Sequence, residues 1–308
     1  MPDCHTTQLP LRLVGGLTSG SIYALIALGY TLVYGVLQLI NFAHSEVFMG
    51  GSLAGLLALE ALTHHGAQTN AIFLFVALIP GMLAGGVVAI ALERFAYRPL
   101  RRRGAARLSY LISAIGASLL LSNIVLLWRG RNFENFPATV APVPILTLGN
   151  VQIYNRQIII VVAMLIMTAG LDIFVRTSRA GKGIRAVAQD PETAGMMGVD
   201  INRVITVTFL LGGLLAGAAG VLYGMFFGVT RFDVGFIPGI KAFTAAVLGG
   251  IGNIRGALVG GLTLGVVENV GAGCCGNQWK DVIAFLVLVG VLMFRPTGLF
   301  GEGVGAKA

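Results

Sequence analysis

Charge is what this chain has least of. Across 308 residues only 11% are charged, while 56% are hydrophobic and the mean hydropathy is +0.85. Soluble domains carry roughly 25% charged residues, and a solvated surface for a chain of this length cannot be built from so few. Placing the excess apolar surface in lipid resolves the mismatch. Cysteine is scarcer still: Cys4, Cys274 and Cys275 are odd in number, with two adjacent and none in a metal-binding spacing. That pattern supports neither a disulfide framework nor a zinc site. Catalytic signatures are missing too. The chain has no H-E-x-x-H, no G-x-x-x-x-G-K-[ST] and no G-x-S-x-G, which argues against a helical zinc hydrolase, a P-loop ATPase and a serine-hydrolase elbow. The run GGIGNIRGALVGG is glycine-rich but lacks the spacing and the strand–helix context of a dinucleotide site. A membrane enzyme is therefore disfavoured, and neither a cofactor nor a metal is expected.

Long apolar runs and glycine are what the chain does have. A bilayer core takes ~20 apolar residues as helix, and such runs cover 11–37, 45–63, 70–92, 109–128, 157–175, 204–228, 254–272 and 281–295. The first is read as a retained span, because MPDCHTTQLP carries no basic n-region. The stretch 238–253 is apolar but broken by glycine. It predicts a half-helix, which membranes tolerate only where protein or a water-filled cavity covers it. The expectation is an all-α polytopic membrane protein with eight to ten transmembrane helices, one of them broken or re-entrant, in a single domain over 1–308. Among the 44 glycines, Gly81, Gly85 and Ala89 form one small-xxx-small ladder. Gly212, Ala216, Gly220 and Gly224 form a second, and Gly252, Gly256 and Gly260 a third. Each presents a flat stripe for close helix contact.

The formal net charge of +8 reads as topology rather than as a nucleic-acid face, because the arginines cluster between apolar runs. Segment 93–108 holds six Arg against one Glu, and 176–203 holds five basic residues against three acids. Both are expected on the cytoplasmic side, and 129–156, with three Arg, outside. Three spans before residue 93 then put the N-terminus outside. The C-terminal side stays open: Arg295 and Lys307 fall outside unless one extra crossing lies within 229–255.

Two places interrupt the apolar pattern. In LQLINFAHSEVFMGG, the residues Asn41, His44, Ser45 and Glu46 fall within six positions. They form either a short polar turn between spans or a turn facing a translocation path, since buried polar groups in a membrane are costly. Glu60 and Glu268 lie near span ends, and Asp172 is placed to pair with Arg176 at i,i+4. In GIRAVAQDPETAGMMGVDIN, Asp190 suits an N-cap, Pro191 a first turn, Glu192 the positive helix end and Gly198 a helix stop. A short helix over 191–197 is predicted, with Ala194, Met196 and Met197 as small and apolar positions. It lies along the membrane surface or inserts into a partner.

These residues resemble a known family. GLTSGSIYALIALGYTLVYGVLQLINFAHSEVFMGG is similar to the opening of the inner-membrane permeases of branched-chain amino acid ABC importers, in particular the H-type subunit. RAVAQDPETAGMMGVDINRVI resembles that family's cytoplasmic coupling loop, KAFTAAVLGGIGNIRGALVGG its late glycine-rich motif and FRPTGLFG its C-terminal signature. The resemblance implies a second homologous permease, two ABC ATPase subunits, a solute-binding protein and a small amino-acid substrate, with no nucleic acid. It implies that 176–203 is the coupling loop, through Arg185, Ala186, Asp190, Pro191, Glu192, Ala194 and Gly198. Asn41, His44 and Glu46, with Gly249, Gly250 and Gly252, are the candidate pore or gate residues. On this reading Ala194→Arg or Gly198→Trp uncouples transport. Where the family usually has Gly after N-F-A-H, this chain has Ser45, which argues against a positive-φ turn there. Same-superfamily permeases for urea or short amides are the alternative, and a secondary transporter or channel a further one.

Overall fold

A computed structural model describes residues 9–63, 71–137, 143–148, 151–295 and 297–301. Cys4, Pro142 and Lys307 lie outside the described residues. In chain order the elements are α1 (Leu9–Leu37), α2 (His44–Thr63), α3 (Ala71–Leu92), a π-helical turn (Glu93–Tyr97), α4 (Arg98–Arg102) and α5 (Arg107–Arg129). Short strands β1 (Glu134–Asn135), β2 (Pro144–Leu148) and β3 (Val151–Tyr154) precede α6 (Asn155–Thr177). Then come α7 (Arg179–Gln189), α8 (Pro191–Met196), α9 (Ile201–Phe227), β4 (Val229–Thr230) and α10 (Phe236–Gly249). A last pair, α11 (Ile254–Cys275) and α12 (Lys280–Phe294), completes the bundle. Eight of these helical stretches are long and apolar enough to cross a membrane. The fold is all-α and polytopic, as the apolar runs predict.

Glycine contacts fix the relative directions of the central helices. Gly16 lies against Val266, and Gly20 against Gly261 and Leu262, so α1 and α11 are antiparallel. Gly51 meets Gly217 and Gly55 meets Val221, so α2 and α9 run parallel. Gly81 and Gly85 meet Gly217 and Gly213 in the opposite sense, so α3 opposes α9. The first small-residue ladder therefore faces Gly213 and Gly217 of α9, while Gly212 and Gly220 of the second ladder lie against Gly29 of α1 and Phe48 of α2, where main chains approach too closely for side chains. Gly249 against Gly256, and Gly260 against Ala245, make α10 antiparallel to α11.

These directions bear on the number of crossings. α10 has 14 residues, about 21 Å at ~1.5 Å per residue, short of the ~30 Å hydrocarbon core. The segment 228–235 completes that passage in non-helical form. It turns back at Gly228, which has φ 73°, and pairs β4 with β1. It reaches α2 through the Ser52–Thr230 hydroxyl hydrogen bond of 2.9 Å. Main-chain pairing and burial of Thr230 satisfy a backbone that lipid could not. Among the described residues, eight helices have the length and composition to cross a membrane, and α10 with 228–235 is a shorter, broken apolar stretch beside them. The α10 segment lies where the extra crossing expected within 229–255 would fall. The C-terminal segment lies at the end of α10, where the Leu299 and Phe300 amides donate to the Leu248 and Gly249 carbonyls at 2.8 and 3.0 Å. That end also carries the Arg-rich stretch 93–103 and the α7–α8 loop.

One expectation about cysteine is corrected. Cys274 is disulfide-bonded, whereas Cys275 is free and exposed. Two adjacent cysteines gave no spacing from which to read that link.

Candidate functional site

The polar cluster 41–46 is not a surface turn. α2 begins at His44, whose imidazole packs edge-on to Tyr30 at 4.8 Å and lies against Gly29. Gly29 is eight residues from the Leu37 end of α1, about 12 Å along the helix axis. The chain therefore leaves α1, turns at Gln38 (φ 52°) and climbs back before α2 starts. A side chain at Gly29 would occupy the imidazole's place. Asn41 holds the turn: its Oδ1 accepts from the Ala43 amide at 3.1 Å and from the Tyr97 hydroxyl at 2.8 Å. The positive φ falls on Gln38 and not on Ser45, which is helical, in keeping with a serine there.

α10 begins at the same depth. Gly235 lies against the Ser45 carbonyl and Gly239 against the Ser45 side chain. Two helix N-termini, those of α2 and α10, thus meet inside the bundle. Beside them is a cavity of about 250 Å³ lined by Tyr30, Glu46, Ser118, Ser122, Asp233 and Phe236 among others. α5 supplies its outer wall. Glu46 is buried, and its Oε1 accepts hydrogen bonds from Ser118 at 3.0 Å and Ser45 at 3.4 Å. Asp233 is paired with Arg231, whose guanidinium lies over the Phe133 ring at 4.5 Å.

Of the six candidate pore residues, Asn41, His44 and Glu46 are brought together, and Gly249, Gly250 and Gly252 are not beside them. The glycines form the turn at the far end of α10. Gly250 and Gly252 have φ near 100°, and Gly250 packs on Phe300 and Gly301. Their role is to close α10 against α11 and the C-terminal segment.

The loop 176–203 is more ordered than its sequence suggests. α7 is an amphipathic helix capped by Ser178, whose Oγ accepts from the Gly181 amide at 2.8 Å. Gly181, Ile184 and Val187 are buried at helical spacing, while Arg185 is exposed and donates to the Arg176 carbonyl. Ala186 is half-buried. Asp190 caps α8 by accepting from the Glu192 and Thr193 amides at 3.0 and 3.3 Å. Pro191 opens the helix, and Gly198 follows it with φ 85°. The predicted helix is present and ends one residue early. Ala194 faces inward and is buried, whereas Met196 and Met197 are each 80% exposed. Arg at 194 or Trp at 198 would disturb internal packing or backbone conformation, so the two methionines are the cleaner probes of the outer surface.

A buried ion-pair cluster escaped the sequence reading. Lys241 of α10 reaches Glu268 of α11 at 2.8 Å and Asp281 of α12 at 2.7 Å, and lies over the Tyr23 ring of α1 at 5.9 Å. The signal was a lysine within an otherwise apolar half-helix, where an ionisable residue needs a partner. The other pairs are at helix ends: Arg176 with Asp172 as anticipated, Arg129 with Glu60 and Glu134, and Arg101 with Glu93.

Comparison with known proteins agrees with this architecture. The profile of the family described as "Branched-chain amino acid transport system / permease component" matches residues 12–292. The chain is 45% identical over 295 residues to the high-affinity branched-chain amino acid transport system permease protein BraD of Pseudomonas aeruginosa. It is 41% identical to the corresponding protein LivH of Salmonella typhimurium and 40% identical to LivH of Escherichia coli. Each alignment covers 94% of this chain and 95% of the relative. The protein is thus a multi-pass inner-membrane transport subunit rather than an enzyme. Matched along nearly the whole chain, it belongs to the family of permease components of branched-chain amino acid transport systems.

Proposed function

We propose that this chain, with a second homologous permease, forms the translocation path of an ATP-driven importer for branched-chain amino acids. A solute-binding protein delivers the substrate on the outer side, and two ATPase subunits dock at the Arg-rich cytoplasmic end. The observation that carries this reading is near-full-length identity of 40–45% to permeases of that transport. Two features support it. The chain has no P-loop of its own, so ATP hydrolysis belongs to another subunit. And α8, rigidly capped, presents Met196 and Met197 outward. Exposed adjacent apolar side chains on an ordered helix suit a docking groove on a partner, and Arg185, Asp190 and Glu192 flank them on the exposed side.

The double substitution Met196→Asp/Met197→Asp leaves insertion and folding intact, because both side chains are exposed. ATP-driven uptake by the assembled importer falls about tenfold or more, as expected for losing a central apolar contact. Co-purification of the ATPase subunits weakens in parallel. Uptake and co-purification at wild-type level would remove α8 from the coupling surface.

A further inference from the structure

Glu46 is a buried acid whose environment the fold alone does not explain. It is 3% exposed, and its Oε2 is buried with no hydrogen-bond partner among the described residues. The ion pairs found among those residues do not include it. A buried carboxylate costs several kcal/mol unless a cation or hydrogen bonds satisfy it. Ser118 and Ser45 serve one oxygen and leave the other. The buried Glu268, by contrast, has a cation, Lys241, at 2.8 Å.

The surroundings define what is missing. Glu46 borders the cavity between α2, α5 and α10, whose remaining wall is largely hydrocarbon, with Ile115, Leu119 and Phe236 among it; the other acid at that wall, Asp233, is already paired with Arg231. The N-terminal end of α10, a helix of 14 residues, opens onto the same cavity through Phe236, and such an end carries a partial positive charge. One unsatisfied negative group, an apolar wall and a positive helix end are complementary to one ammonium group, one hydrocarbon side chain and one carboxylate. Discontinuous helices inside transporters hold anionic substrate groups in this way. The cavity of about 250 Å³ lies below the roughly 300–1,000 Å³ of drug-sized sites, in keeping with a single small molecule.

We propose that Glu46 receives the ammonium group of an apolar α-amino acid in transit. The side chain of that amino acid lies against Ile115 and Leu119, and its carboxylate points towards the start of α10. The inference rests on the import reading above and adds a station inside the permease at which the zwitterion is recognised. Urea has no cationic group and leaves the Glu46 charge uncompensated, so the arrangement favours an amino acid over a short amide.

The test uses the assembled importer with Ser122→Cys placed in the cavity wall and Cys275→Ser removing the exposed thiol. Labelling of Cys at position 122 by an apolar maleimide is followed without the binding protein, in the presence of leucine or of 4-methylpentanoate, which has leucine's carbon skeleton without the ammonium. Leucine is expected to slow labelling, with 4-methylpentanoate weaker by about tenfold or more in the concentration required. Glu46→Gln abolishes the difference between the two, and Glu46→Asp retains it. Equal protection by both compounds, or unchanged leucine protection in Glu46→Gln, overturns the proposal. Should Glu46→Gln not assemble, the comparison of the two compounds on the Ser122→Cys protein decides alone. ATP-driven leucine uptake by the wild-type importer is measured alongside. Its absence would defeat the import reading, whereas uptake without ammonium-dependent protection defeats only the role of Glu46.

Discussion

Lys241→Met destabilises this permease by about 3–5 kcal/mol, the range for removing one partner of a buried ion pair. Lys241 is 6% exposed and Glu268 2% exposed, so the substitution strands the Glu268 carboxylate where water does not reach it. Its Oε2 already lacks a hydrogen-bond partner among the described residues. Asp281 is 53% exposed at its side chain and returns to solvent at little cost. Mechanically, the lysine ties the half-helix α10 to α11 and α12, so its loss loosens the packing of α10. The check is unfolding of the purified protein in detergent, comparing Lys241→Met, Glu268→Met and the double variant. The double variant is expected to be more stable than Lys241→Met, because no uncompensated charge remains buried between α10 and α11. Destabilisation of the double variant by the sum of the two single effects would mean that the pair is not coupled.

Gly217→Leu prevents accumulation of folded protein. Gly217 sits where α9 crosses both α2 and α3, and an added Cβ would meet the Gly81 carbonyl group, with its carbon at 2.9 Å and Met82 Cα at 3.1 Å. Those neighbours are main chain and cannot rotate away. Overpacking ordinarily costs about 1–3 kcal/mol; a leucine against two backbones, with Gly51 on the other side, exceeds that range. Gly116→Leu is the control, since Gly116 is exposed on α5 with no atom near its would-be Cβ. The yield of monodisperse protein after membrane extraction separates the two: near wild type for Gly116→Leu, close to zero for Gly217→Leu. Similar yields would mean that the close glycine contacts do not hold the α2–α3–α9 packing.

Some of this was legible in the sequence for physical reasons. Eight apolar runs had the length a bilayer demands, and each corresponds to a long helix. Asp190, Pro191 and Gly198 marked α8 because capping, a fixed φ and a positive φ are local requirements. What stayed hidden depends on partners distant in sequence. The outer half of the broken passage, GVTRFDVG, carries Arg231 and Asp233 and so does not read as membrane-embedded, although Thr230 is buried against Ser52. Lys241 and Glu268 are 27 residues apart, and only the antiparallel packing of α10 on α11 joins them. In α7, Ile184 and Val187 show the i,i+3 spacing of a buried face, but five basic residues across 176–203 made the segment look like loop. The cluster at 41–46 was recognised as costly. Its depth, a helix start beside Gly29, came only from the return of the chain at Gln38.

Uptake of labelled leucine into proteoliposomes tests the import reading most directly. The vesicles contain this chain, its partner permease and the ATPase subunits, with binding protein outside and ATP enclosed. Accumulation that requires enclosed ATP, the binding protein and the ATPase subunits together is the expected result. Accumulation by this chain alone, driven by an ion gradient and indifferent to ATP, would contradict it.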